Sequence, residues 1–71
     1  MNTPEAVRLL TQTLNDKTHQ VELRVSAARG LGRAGNTAAR IALADVIKDP
    51  AELLEVRAAA AEALGDACHR A

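Results

Sequence analysis

Few residues in this chain of 71 have the types and the spacing that catalysis or metal binding requires. Its two histidines, His19 and His69, lie outside any HExxH motif or Cys-His ligand spacing. Cys68 precedes His69, but nothing in the sequence would orient the two side chains as a nucleophile and its base. The chain also lacks a Ser-His-Asp set, paired catalytic carboxylates and a glycine-rich phosphate loop. We therefore expect no enzymatic activity and no cofactor.

Two arginines remain as candidates for a functional site, and both belong to a repeated segment. Residues 23–34 return as residues 56–67, so that Arg24 matches Arg57 at an offset of 33 residues. A repeat of a helix-sized unit indicates the architecture before any other feature does. Each arginine could contact a ligand, but a guanidinium fork equally suits a partly buried carboxylate within the protein. We favour the structural role.

The composition predicts a helical protein with a modest core. Phe, Tyr and Trp are absent, so Leu, Ile, Val and Ala must fill the interior. Alanine favours helices but buries little area, and helices packed through alanine must therefore approach closely. Such a composition suits a stack of helices and suits a β-sandwich badly.

The charge and the cysteine content limit the binding partners and the cellular compartment that we expect. The formal net charge is zero, which argues against a strong binder of nucleic acid or of an anionic membrane. The charge is uneven, however, because residues 1–35 carry a net +2 and residues 36–71 a net −2. A single cysteine excludes an internal disulfide and fits a reducing, cytoplasmic compartment. No apolar run could span a membrane, and the N-terminus lacks the pattern of a signal peptide.

Capping and turn residues predict four helices. Thr3 and Asn36 are the expected N-caps of the first and third helices. Gly35 suits the left-handed position after the second helix, and Pro50 ends the third. Short connections favour antiparallel neighbours. The expected helices cover about residues 4–15, 20–34, 36–48 and 52–68.

The two copies resemble the HEAT-like repeat, in the short bacterial form known from phycobilisome-lyase-type repeats. The second copy carries the resemblance in Leu43, Ile47-Lys48-Asp49-Pro50, Val56-Arg57-Ala58-Ala59-Ala60 and Ala63-Leu64-Gly65. The first carries it in Leu10, Leu14-Asn15-Asp16, Leu23-Arg24, Ala27-Ala28 and Leu31-Gly32. The resemblance implies an all-α, α-solenoid fold of about four antiparallel helices in the order B-A-B-A. Residues 1–71 would form a single HEAT-like repeat domain or a fragment of a longer array, since such stacks usually need roughly three repeats.

In that family, an aspartate after the B helix and an arginine early in the following A helix form a polar ladder between layers. The resemblance assigns this structural role to Asp16, Arg24, Asp49 and Arg57. The chain departs from the family in spacing, because eight residues separate each aspartate from its arginine, a little more than is common.

The B helices of such stacks usually line the concave side, where partners bind. The candidate partner-binding residues on them are Arg8, Gln12, Ile41 and Asp45. Ile41 stands out because it is apolar and lies off the main apolar stripe of its helix. We therefore expect a non-enzymatic scaffold or interaction module whose partner is another protein.

Two other functions fit parts of the sequence. Ala28 and Gly32 followed by Ile41 imitate the small residue, turn glycine and apolar anchor of a DNA-binding helix-turn-helix, with residues 36–48 as the recognition helix. Against nucleic-acid binding, that helix carries Ile41 and Asp45 where basic and polar side chains are wanted. The resemblance also leaves open a repeat fragment of a bilin-lyase-like enzyme, whose chemistry would lie outside these residues.

Equivalent positions on the two A helices carry opposite charge. Arg29 matches Glu62, and Arg33 matches Asp66. We hypothesise that these residues pair across helices 2 and 4 on the outer surface, each exposed pair contributing on the order of 0–1 kcal/mol.

The uncovered faces of helices 1 and 4 could also carry self-association into a homo-oligomer.

Overall fold

Two helical hairpins stack on each other. The computed structural model describes residues 1–70. The first hairpin consists of α1, Thr3–Asn15, and α2, Val21–Ala34, and the second of α3, Thr37–Lys48, and α4, Leu54–Arg70. α2 and α4 form the main contact between the hairpins, while α1 and α3 touch more sparingly. The described chain contains helices and no strand, which confirms the predicted all-α fold of about four helices.

Side chains at the helix ends explain where the helices begin. Asn36 caps α3 as predicted, because its Oδ1 atom accepts a hydrogen bond of 2.8 Å from the backbone N–H of Ala39. The predicted cap at Thr3 is wrong. Asn2 holds that position, and its Oδ1 atom accepts a hydrogen bond of 2.9 Å from the N–H of Glu5. Asparagine caps at least as well as threonine, so the helix starts one residue earlier and includes Thr3.

Two turns separate the remaining helices. Gly35 ends α2 as predicted, with a φ angle of 66° and an N–H that donates to the carbonyl oxygen of Leu31 at 3.0 Å. α4 begins at Leu54 rather than near residue 52, because the preceding residues form a turn. In that turn the Oδ1 atom of Asp49 accepts a hydrogen bond of 2.9 Å from the N–H of Ala51. Such aspartate turns compete with helix formation and delay its start.

The core is aliphatic, and alanine fills most of its narrow places. Leu14, Leu31, Leu43 and Val56 are fully buried. Leucine and valine supply most of the buried area, whereas alanine lets the helices come close. The other buried apolar residues are Val7, Ala27, Ala28, Ala39, Ala42, Val46, Ala59, Ala60, Ala63 and Ala67.

α2 and α4 approach each other closely at Gly32. A Cβ atom placed on this residue would lie 2.7 Å from the carbonyl oxygen of Ala63 and 2.9 Å from its Cα atom. Glycine permits this approach without moving either helix, although it is a poor helix former. A Cβ atom on Gly65, its equivalent in α4, would meet no atom of the described residues within 4 Å. The two glycines match in sequence but differ in surroundings.

Candidate protein-interaction groove and polar ladder

An open groove of about 690 Å³ lies between α1 and α3, the helices that correspond to B helices. All four residues predicted to bind a partner line this groove: Arg8 and Gln12 on α1, and Ile41 and Asp45 on α3. Each pair is spaced four residues apart, so both members lie on one face of their helix. The other lining residues are Pro4, Val7, Thr11, Asn15, Asn36, Ala38 and Ala42.

The groove combines an apolar strip with two opposite charges. Val7 and Ala42 are buried, whereas Ile41 remains 58% exposed. An exposed isoleucine beside buried apolar atoms is a surface that a partner's apolar side chain can cover. The guanidinium of Arg8 belongs to the α1 wall, and the carboxylate of Asp45 belongs to the α3 wall. The groove therefore carries one basic and one acidic side chain on its two walls.

Arg24 crosses between the hairpins and is 1% exposed. Its Nε atom donates to the carbonyl oxygen of Leu14 at 2.9 Å, and its Nη2 atom donates to Oε2 of Glu52 in the second hairpin. The Leu14 carbonyl belongs to the last turn of α1, where carbonyl groups lack a partner within the helix. The Nζ atom of Lys17 lies 3.2 Å from Glu52 Oε2 and 3.7 Å from Asp49 Oδ2. One arginine thus satisfies a helix end and pairs with an acid of the other layer.

Glu52 is held in its charged form by this arrangement. The pKa of Glu52 is lowered to about 2, mainly by the hydrogen bond from Arg24 and also by those from the N–H of Leu53 and the Nζ atom of Lys17, against the effect of burial. Glu52 is only 8% exposed. A buried carboxylate needs such partners, because removing one leaves an uncompensated charge in the interior. The pair therefore ties the two layers together.

Arg57 reproduces half of the Arg24 arrangement. Its Nε and Nη2 atoms donate to the carbonyl oxygen of Ile47 at 3.0 and 2.8 Å. Ile47 is the repeat equivalent of Leu14, so both arginines reach the last turn of the B helix before them. Arg57 is half-buried, and both of these donors converge on one oxygen. The Arg24 site has one more partner, Glu52, which belongs to the second hairpin.

Within residues 1–70, neither Arg24 nor Arg57 donates a hydrogen bond to Asp16 or Asp49, the aspartates expected in the ladder. The Oδ1 atom of Asp16 accepts hydrogen bonds from the hydroxyl and the N–H of Thr18 at 2.6 and 2.9 Å, and these bonds lower the pKa of Asp16. Asp49 closes its own turn in the same way, through the N–H of Ala51. Since each aspartate caps the turn that it begins, the arginines bond to helix-end carbonyls instead.

Sequence reasoning missed Glu52, which is the acid of the ladder. Its repeat equivalent is His19, so a comparison of the two copies gave no signal. The usable signal was electrostatic, because a buried arginine requires an acid and the turn aspartates have local partners.

A shallower cleft of about 190 Å³ lies at the outer seam of α2 and α4. It brings together the residues predicted to pair, Arg29 and Arg33 on α2 with Glu62 and Asp66 on α4. Ala63 lies in the same cleft. Coupling between these charges stays a prediction, which a double-mutant cycle on Arg29 and Glu62 would measure.

The helix-turn-helix mapping places a glycine wrongly. That motif needs Gly32 in the turn between its helices, but Gly32 lies inside α2 and packs against Ala63. The turn glycine is Gly35. α3 also directs Ile41 into the groove with α1.

Comparison with known protein families agrees with this architecture. Residues 23–49 match the model of the PBS lyase HEAT-like repeat family. The matched segment contains most of α2, the turn and α3, which is an A helix followed by a B helix. Residues 23–49 therefore match a HEAT-like repeat, in agreement with the resemblance predicted from the sequence. No curated protein and no solved structure matches the chain.

Two further features bear on the site. Among residues 1–70, no helix has both the length and the hydropathy needed to cross a membrane. Within the same part of the chain, no three His, Cys, Asp or Glu residues converge to hold a metal ion. Cys68 is exposed near the end of α4.

Proposed function

We propose that the chain is a non-enzymatic HEAT-like interaction module that binds a peptide segment of another protein in the groove between α1 and α3. The observation that supports it most strongly is the exposed Ile41 beside buried Val7 and Ala42, in a groove open to solvent. Complete burial of an isoleucine side chain contributes about 1.5–3 kcal/mol. Covering the exposed part of Ile41 would therefore contribute roughly 1–2 kcal/mol to binding.

The charges of the groove define the segment that fits. Arg8 and Asp45 form no ion pair with the other described side chains. Both charges are thus available to a partner. The matching segment has an apolar anchor that covers Ile41, an acidic residue toward Arg8 and a basic residue toward Asp45. Such rim charges fix the direction of a bound peptide more than they raise its affinity.

Selection from a displayed library of random peptides tests this proposal without a known partner. The selected sequences should share an apolar anchor between an acidic and a basic residue. Binding of synthetic versions would be measured by isothermal titration calorimetry. Ile41→Asp should weaken binding by roughly tenfold or more, because it removes the apolar contact and adds a charge beside Asp45.

Leu54→Asp is the matched control, since Leu54 is 75% exposed and lies on α4, outside the groove. This variant should bind the selected peptides as the wild type does. Exchange of the charges in Asp45→Arg should select peptides with an acid in place of the base. The proposal fails if no peptide is enriched, or if the enriched peptides bind Ile41→Asp and the wild type equally.

A further inference from the structure

α2 and α4 are repeat equivalents, but they bury opposite flanks. On α2, the residues buried on the side toward the second hairpin are Arg24, Ala28, Leu31 and Gly32. Their equivalents on α4 are exposed or half-buried, and we call them the α4 flank: Arg57, Ala61, Leu64 and Gly65. Within residues 1–70, the same face that receives a helix on α2 is therefore left uncovered on α4.

The reverse holds on the other side of each helix. α4 buries a stripe formed by Val56, Ala59, Ala63 and Ala67. The equivalents on α2 are exposed or half-buried, and we call them the α2 flank: Leu23, Ser26, Gly30 and Ala34. The α2–α4 contact joins the α2 face that contains Arg24 to the α4 face that contains Val56. The equivalents of these two faces, the α4 flank and the α2 flank, have no such partner within residues 1–70.

We propose that the α4 flank of one molecule packs against the α2 flank of a second copy, head to tail, as α2 packs against α4 within the chain. Gly65 is open for such an approach, with nothing within 4 Å of an added Cβ atom. Opposite it, Gly30 of the second copy takes the place that Ala63 has opposite Gly32. Leu23, which is 48% exposed, takes the place of the buried Val56. This contact is separate from the α1–α3 groove.

Charge complementarity selects a second copy as the occupant. Arg29 and Arg33 of α2 lie in one cleft with Glu62 and Asp66 of α4. In the head-to-tail contact, the acidic pair would face the same two arginines of the next copy. Basic and acidic helices would then alternate along the stack. The net charges of +2 on residues 1–35 and −2 on residues 36–71 favour the same orientation.

At Arg57 the proposed contact between copies lacks a partner that the internal α2–α4 contact has. Within the chain Arg24 receives the carboxylate of Glu52, whose repeat equivalent is His19. An imidazole supplies no carboxylate to Arg57, and the Nε2 atom of His19 already lies 3.4 Å from Oδ2 of Asp16 in its own turn. The substitution His19→Glu would supply the carboxylate of the internal contact. Since His19 is exposed, this variant should strengthen association, by roughly tenfold for a charge-assisted pair, without disturbing the core.

A head-to-tail contact uses two different surfaces, so it produces open chains or closed rings rather than a two-fold dimer. Sedimentation velocity over a range of protein concentrations tests this directly. A reducing agent is needed, because Cys68 is exposed and could form disulfides between molecules. The average mass of the wild type should rise with concentration and pass beyond that of a dimer. A wild type that stays monomeric, or that stops at a dimer, would overturn the proposal.

Gly65→Ala separates association from folding. The added Cβ atom would meet backbone atoms of the second copy, as it would at Gly32 within the chain. Association should weaken roughly tenfold or more, while the monomer melts at a higher temperature because alanine is the better helix former. Unchanged association in this variant would contradict the proposed contact.

Charge exchange tests which molecules meet. Glu62→Lys and Arg29→Glu should each reduce self-association, because each creates a like-charge contact. An equimolar mixture should recover it, since the lysine that replaces Glu62 in one variant then faces the glutamate that replaces Arg29 in the other. Loss of folding cannot imitate this recovery, because each variant keeps its internal charge defect in the mixture. Variants that associate as the wild type does, or a mixture that does not recover, would refute the assignment of these charges.

Discussion

Replacement of each helical glycine by alanine tests the two-layer packing, because the same chemical change is made at two equivalent positions. Gly32→Ala places a Cβ atom 2.7 Å from the carbonyl oxygen and 2.9 Å from the Cα atom of Ala63. Both are backbone atoms of α4, so the contact can be relieved only by moving one helix away from the other. The Cβ atom of Gly65→Ala meets nothing within 4 Å in the part of the chain that the structure describes.

The expected magnitudes follow from two opposing effects. Alanine is better than glycine inside a helix by about 1 kcal/mol, and this gain applies to both variants. Forcing an extra methyl group into a packed contact costs about 1–3 kcal/mol, and this loss applies to Gly32→Ala alone. Gly65→Ala should therefore be more stable than the wild type by up to about 1 kcal/mol. The two variants should differ by about 1–3 kcal/mol.

Thermal unfolding followed by circular dichroism measures this difference. For a domain of this size, about 1 kcal/mol shifts the melting temperature by about 4–8 °C, so the variants should melt on the order of 10 °C apart. The comparison belongs at the lowest workable protein concentration, where association adds nothing to stability. Melting temperatures within about 2 °C of each other would mean that α2 and α4 do not meet at Gly32, and the stacking of the hairpins would be refuted.

Two further predictions concern the ladder, beside those made above for the groove and for self-association. Glu52 has a pKa of about 2 in the folded protein against 4.5 normally, so its stabilisation is complete above pH 4.5 and is lost as the pH falls toward 2. The loss amounts to about 3 kcal/mol, and acid titration of Glu52→Gln should show a smaller fall in that window. Arg24→Leu should cost about 3–5 kcal/mol because it leaves Glu52 buried without its main partner, whereas Arg57→Leu should cost about 1 kcal/mol. Urea unfolding compares the two variants, and equal losses would contradict the difference between the layers.

The four-helix architecture could be predicted from the sequence because several residue types in the repeat determine where a helix begins or ends. The cap at Asn36 and the terminator at Gly35 each have a local cause, and the structure confirms both. The grouping of Arg8, Gln12, Ile41 and Asp45 in one groove was also predictable, since four-residue spacing on two stacked helices places them together. The first cap was misplaced because Asn2 and Thr3 are both good cap residues and only the folded backbone chooses between them.

The ladder could not be predicted in full, because its partners differ between the copies. Each turn aspartate looked like the acid for its arginine, but a local turn satisfies the aspartate first. Glu52 belongs to the second layer and has a histidine as its equivalent in the first, so repetition concealed it. Contacts that join layers depend on which residues the stacking brings together, and a single copy of the repeat does not contain that information.

The energetic cost of a glycine inside a helix also bears on the proposed packing of a second copy against the α4 flank. A glycine inside a helix is unfavourable by about 1 kcal/mol relative to alanine. At Gly32 the close approach of Ala63 offsets this cost, because alanine could not be accommodated there. At Gly65 none of residues 1–70 offsets it, because nothing among them lies within 4 Å of an added Cβ atom. The chain does not keep glycine at every equivalent position, since Gly30 is matched by Ala63. A packed neighbour on the α4 flank would give Gly65 the same physical reason that Gly32 already has.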